Sequence, residues 1–144
     1  MERTSSSPRE DEQQSNHDYL TDGPSSAAAM MEALSDEFSR RILSSIVERG
    51  KSIGEISVEQ GIPPSTCYKR VQQLLDTGVI VIERIVLPQT GKKYALYRSA
   101  FSDFRISWQK GQLMARVTVN PDVAAKLEKE WLATMRKKKA VPRP

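Results

Sequence analysis

The sequence holds one cysteine and one histidine in 144 residues, and that scarcity removes most ordinary site chemistry at once. A lone Cys67 cannot form an intrachain disulfide or a thiolate cluster for zinc. His17, the sole imidazole, lies in a polar N-terminal stretch, so a Cys-His pair or a Ser-His-Asp triad has no plausible base. The seven glycines are scattered singly and build no phosphate-cradling loop. No run approaches the ~18 apolar residues of a membrane span, and the N-terminus has no apolar signal-peptide core. These absences predict a cytoplasmic protein that is not an enzyme, binds no membrane and uses no metal or cofactor.

Large apolar side chains are nearly missing from residues 1–29, where only Met1, Tyr19 and Leu20 occur. Such a composition cannot bury enough surface to offset chain entropy, which predicts a disordered tail. The tail is acidic: Glu2, Glu10, Asp11, Glu12, Asp18 and Asp22 face only Arg3 and Arg9. The remaining chain is therefore more basic than the overall charge of +4. A basic folded part favours an anionic partner, and nucleic acid comes before membrane because no amphipathic anchor accompanies the charge.

Apolar periodicity sets the order of elements. Leu34, Phe38, Ile42, Ile46 and Val47 recur every three to four residues and predict an amphipathic helix over Met30 to Glu48, with Ser35 as a candidate N-cap and Gly50 beyond its end. Ser52 and Glu55 have capping-box spacing and open a short second helix that Gly61 can terminate. Pro64 suits the first turn of a third helix, Ser65 and Thr66 offer hydroxyls to its free N–H groups, and Gly78 stops it. The period then changes. Val79 to Leu87 is β-branched, Pro88-Gln89-Thr90-Gly91 signals a turn, and Lys92 to Tyr97 returns as a strand.

Helix, short helix, Gly turn, helix and hairpin predict a winged helix-turn-helix over residues 30–100. The segment from Leu34 to Leu96 also resembles the ArsR-type winged-helix regulators. "LSDEFSRRILSSI" is similar to their first helix, and "IGEISVEQGIPPSTCYKRVQQLLDTGVI" to their helix-turn-helix. The resemblance implies a prokaryotic-type transcriptional regulator that binds double-stranded DNA. Metal sensing does not carry over, because Cys67 falls on the apolar side of the third helix and reads as a small buried hydrophobe.

Residues spaced ~100° apart on the third helix divide into two faces. Cys67, Val71, Leu74 and Leu75 form the buried one. Ser65, Tyr68, Lys69, Gln72, Gln73 and Asp76 fall on the other, with Thr66 at the helix start, and this set can present donors and acceptors to a major groove. Arg70 lies beside the apolar arc, where its stem packs and only its tip is available. Lys92 and Lys93 sit at the wing, where they are expected to follow backbone phosphates or the adjacent minor groove. The alternative is a winged helix that recognises another protein.

Beyond the wing, Phe104, Ile106 and Trp108, then Leu113, Ala115, Val117 and Val119, alternate with polar residues around Lys110-Gly111. They predict an additional β-hairpin over residues 101–119, which could alternatively line a small-molecule pocket. Asn120 and Pro121 open a C-terminal helix expected to reach residue 138, followed by a basic tail over 139–144. In ArsR-type regulators a terminal helix makes the dimer. Ala124, Leu127, Trp131 and Met135 are the corresponding expectation here, in a homodimer gripping two half-sites. The predicted class is thus α+β, mainly helical, with a hairpin and a helix appended to a winged helix-turn-helix.

Overall fold

The computed structural model describes residues 16–19, 27–126 and 129 of the chain. Four helices come first after a short strand β1 (Asn16–Tyr19): α1 (Ala27–Ser35), α2 (Glu37–Ser45), α3 (Ile53–Gln60) and α4 (Pro64–Thr77). Strands β2 (Ile80–Val86) and β3 (Tyr94–Ser99) make the wing, and β4 (Phe101–Gln109) and β5 (Gln112–Val119) make the second hairpin. A 3-10 turn at Pro121–Val123 leads into helical residues at Ala124–Lys126 and Lys129. The α+β winged helix-turn-helix read from the sequence is the observed fold.

The single helix expected over Met30 to Glu48 is instead two. Asp36, and not Ser35, is the N-cap of α2: its backbone is extended (φ −94°, ψ 128°) and its carboxylate accepts the Ser39 N–H at 2.8 Å. Arg70 of α4 donates to the same carboxylate at 3.0 and 3.4 Å, so a tertiary ion pair holds the break open. Periodicity alone cannot register such a break, because Leu34 and Phe38 keep the same apolar side on both sides of it. Replacing Asp36 with alanine is expected to lower unfolding free energy by about 1–2 kcal/mol in urea titrations, the usual value of an N-cap.

The stabilisation by Asp36 is also pH-dependent. Burial raises its pKa, but the hydrogen bonds from Ser39 and the Arg70 guanidinium outweigh that and hold it below the ordinary carboxylate value. A depressed folded pKa stabilises the fold above the unfolded value and is lost as pH falls through the folded one. The gap in stability between wild type and Asp36→Asn is therefore expected to narrow in acid.

The remaining helix ends follow the sequence closely. Ser52 and Glu55 form the reciprocal capping box, each bond 3.1 Å long, and Gly61 adopts the left-handed conformation at φ 63°. Gly78 does the same for α4 at φ 84°, while Pro64 occupies the first turn. The capping expected of Ser65 and Thr66 does not form: α4 has no side-chain cap bond. Ile42, Ile46, Ile56, Cys67, Val71 and Leu74 close the centre of the helical core, each at most 1% exposed.

The wing is an antiparallel pair with a bulge between Ile82 and Arg84. Glu83 is the extra residue, and its carboxylate meets Arg98 of β3 at 2.8 Å. Lys51 pairs its backbone with Tyr97 at 2.8 and 3.1 Å, which ties the α2–α3 connection to β3. Arg98 is only 5% exposed and donates to the carbonyls of Val47 and Glu48 as well as to Glu83 and Asp122. Asn120 adds bonds to the carbonyls of Val47 and Ser99. The end of α2, both wing strands and the start of the C-terminal helix thus share one polar joint.

The second hairpin turns through Lys110 (φ 50°) and Gly111 (φ 81°), the paired positive φ values of a two-residue type I′ turn. The expected tail of residues 1–29 is corrected in two places. Asn16–Tyr19 pair antiparallel with β5, giving a sheet of order β1-β5-β4, and α1 begins at Ala27. Backbone pairing along an open edge needs no apolar composition, so the polar sequence around His17 carries no sign of it. Ala27 and Met30 of α1 are buried in the common core with Ala115 and Val117 of β5.

Candidate nucleic-acid interface

Helix α4 is held from beneath and offers its opposite face. Cys67, Val71 and Leu74 are buried, whereas Ser65, Tyr68, Lys69 and Gln73 are exposed and Thr66 and Gln72 are half-buried. Among the described residues none of these six side chains has a hydrogen-bond or ion-pair partner. A row of donors and acceptors with no partner among the described residues is available to an external one. Arg70, next to Lys69, is committed to Asp36 and is not part of that row.

Charge is distributed unevenly around this face. On α3, Glu55 and Glu59 are answered by Arg49 and Lys51 at 3.2 and 2.7 Å, so that surface is internally balanced. Lys69 on α4 and Lys92 and Lys93 on the wing are exposed and, among the described residues, have no acidic partner. The wing tip is shaped by Gly91 at φ 92°, a conformation that side-chain-bearing residues rarely adopt. Burial raises the pKa of the Cys67 thiol, consistent with an inert apolar packing role.

The dimer residues divide. Ala124 is half-buried against the core of its own chain, and Leu127, Trp131 and Met135 lie outside the described residues. Asn120 caps the 3-10 turn Pro121–Val123 by accepting the Asp122 N–H at 3.1 Å, with Pro121 in the first turn, and most of the helix expected to follow lies outside the described residues. Among the described residues no cluster of His, Cys, Asp and Glu could hold a metal ion, and no helix is long and apolar enough to cross a membrane.

Arg98 and Tyr97 were missed by the sequence reading. Both occur in a strand whose alternation of residue types gives no hint that an arginine would be buried. Tyr97 is only 8% exposed and faces the start of α3 from the wing.

Residues 35–81 match the family model of winged helix-turn-helix DNA-binding domains. The matched stretch runs from the end of α1 through α4 into β2, under half of the chain, and contains the polar row on α4. A comparison with curated proteins finds no match.

Proposed function

From a winged helix-turn-helix with an unpartnered polar face on α4, we propose that the chain is a sequence-specific, double-stranded-DNA-binding transcriptional regulator acting as a homodimer. The carrying observation is that Ser65, Tyr68, Lys69, Gln72 and Gln73 share one side of a helix whose other side is locked into the core. An α-helix fits the major groove, where Lys69 suits a guanine edge and Gln72 or Gln73 an adenine edge. Ser65 and Thr66 belong at the flanking phosphates, because the N–H groups of a helix start favour anions.

The wing supplies a second, sequence-independent contact. Lys92 and Lys93 would neutralise backbone phosphates, adding affinity and salt dependence without base discrimination. Leu127, Trp131 and Met135 continue the apolar spacing of Val123 and support a paired C-terminal helix. Their pairing would set two recognition helices about one DNA turn apart.

Selection of the purified chain against a random duplex pool at two salt concentrations tests this. An enriched inverted repeat with half-sites about 10 bp apart is the expected result. Binding without sequence enrichment would reduce the reading to a nonspecific DNA binder. Absence of binding would instead favour recognition of another protein.

A further inference from the structure

We propose that strand β4 pairs antiparallel with the β4 of a second copy of this chain, with Ile106 opposite Ile106, joining the two three-stranded sheets into one. This rests on the homodimer reading above and gives it a seam apart from the C-terminal helix.

The strand order β1-β5-β4 leaves the two edges of this sheet unlike. Beside β5 the chain recruits Asn16–Tyr19 as a further strand. Beside β4 no further strand lies among the described residues. Natural sheets ordinarily keep such an edge short, or block it with proline, lysine or a bulge. β4 is nine residues long, contains neither proline nor lysine, and has its one bulge at the Phe101 end. Its only charged residues, Asp103 and Arg105, answer each other at 3.0 Å. Asp103 to Gln109 is therefore a regular edge with no device against pairing.

Hairpin geometry fixes which backbone groups face outward. The two-residue turn at Lys110-Gly111 makes Gln109 and Gln112 a hydrogen-bonded pair, and the two kinds of pair alternate from there. Arg105 and Ser107 thus direct their N–H and C=O groups to β5, whereas Phe104, Ile106 and Trp108 direct theirs to the open edge. The side chains of these three share the core face of the sheet, by the alternation of a strand. Phe104 and Ile106 pack against the core, but Trp108 beyond them is 71% exposed. An indole is a large apolar payload, and tryptophan is enriched at interfaces for that reason.

A second copy is the occupant because this edge is complementary to itself. A two-fold axis perpendicular to the sheet keeps core face on core face, so it can only pair residues of like parity. Setting Ile106 on Ile106 uses every residue from Asp103 to Gln109 and stops short of the bulge. Trp108 then lies opposite the partner's Phe104, whose ring meets Phe101 edge-on at 5.4 Å, and is carried from water onto the partner's core. Asp103 lies opposite the partner's Gln109, and Arg105 opposite the partner's Ser107. The neighbouring registers are worse: one sets Arg105 on Arg105 and runs Trp108 into the bulge, and the other runs Phe104 into the turn at Lys110.

The test uses the full chain and reads the register directly. Arg105 and the partner's Ser107 form a non-hydrogen-bonded pair with Cα atoms about 4.5 Å apart, within reach of a disulfide. Each lies about 7–8 Å from its own copy, which is out of reach. Arg105→Cys and Ser107→Cys chains, mixed and mildly oxidised, are expected to cross-link, and neither is expected to do so alone. Both positions are exposed, and Cys67, the sole native thiol, is buried and does not compete. Trp108→Lys is expected to keep the thermal midpoint while weakening self-association about tenfold or more in sedimentation equilibrium. Three results overturn the seam alone: cross-linking as ready in either variant by itself, no cross-link from a chain that sediments as a dimer, or Trp108→Lys associating like wild type. A wild-type chain that sediments as a monomer at every concentration overturns the homodimer reading and the seam with it.

Discussion

Arg98→Met is expected to remove about 3–5 kcal/mol of unfolding free energy, measured as a drop in urea midpoint at constant slope. The substitution keeps the length of the side chain and discards its charge and donors. Arg98 is 5% exposed, and its guanidinium serves two backbone carbonyls, Val47 and Glu48, together with Glu83 and Asp122. The ion pairs are not equal. Asp122 is 60% exposed and contributes little by itself, since solvent screens such a pair. Glu83 is 29% exposed and would be left beside apolar methionine with no counter-charge.

Gly50 leaves the room that Glu83 occupies. A Cβ there would collide with the Glu83 carboxylate, so the absence of a side chain at position 50 is what admits the acid to the joint. Arg98→Lys is expected to recover only part of the loss, because an ammonium cannot span carbonyls and a carboxylate as a planar fork does. If Arg98→Met unfolds at the wild-type midpoint, the joint is not what secures the wing to the helices.

Lys69→Ala is expected to lower affinity for the selected duplex by about 1–3 kcal/mol, roughly five- to 150-fold, and to relax base preference at one position per half-site. Lys92→Ala is expected to lower affinity for all duplexes alike and to reduce the salt slope by about one. These two signatures separate reading from anchoring. Neither substitution should alter stability by more than about 0.5 kcal/mol, since both side chains are exposed and have no partner among the described residues. Binding to duplex that is indifferent to Lys69 would move base reading away from α4.

The helix-turn-helix was legible because its boundaries are chemical. Ser52 with Glu55, Gly61, Pro64 and Gly78 each specify a cap or stop that needs no tertiary help, and each occurs where the residue type demands it. Lys110-Gly111 is legible in the same way, as a two-residue turn between alternating strands. The break at Asp36 was hidden because half of its cause is Arg70, 34 residues away. The pairing of Asn16–Tyr19 was hidden because an added edge strand is recruited by backbone donors and acceptors.

The candidate site was legible by face and not by partner. Helical spacing separates Lys69 and Gln73 from Cys67 and Leu74, and the burial pattern agrees. It could not show that Arg70 is withdrawn by Asp36. Nor could it show that Tyr97, a wing residue, stands at the start of α3.

Only Ala100 separates β3 from β4, and it is fully buried, with its N–H on the Val79 carbonyl and its own carbonyl taken by Asn120. Insertions and deletions should therefore be unevenly tolerated along the C-terminal half. The loop from Pro88 to Lys93 can change length without disturbing anything behind it. One residue added at Ala100 would reverse the facing of Phe104 and Ile106 and expel them from the core. In a library of length variants, survivors are expected to cluster at the wing tip and to be missing at this single-residue hinge.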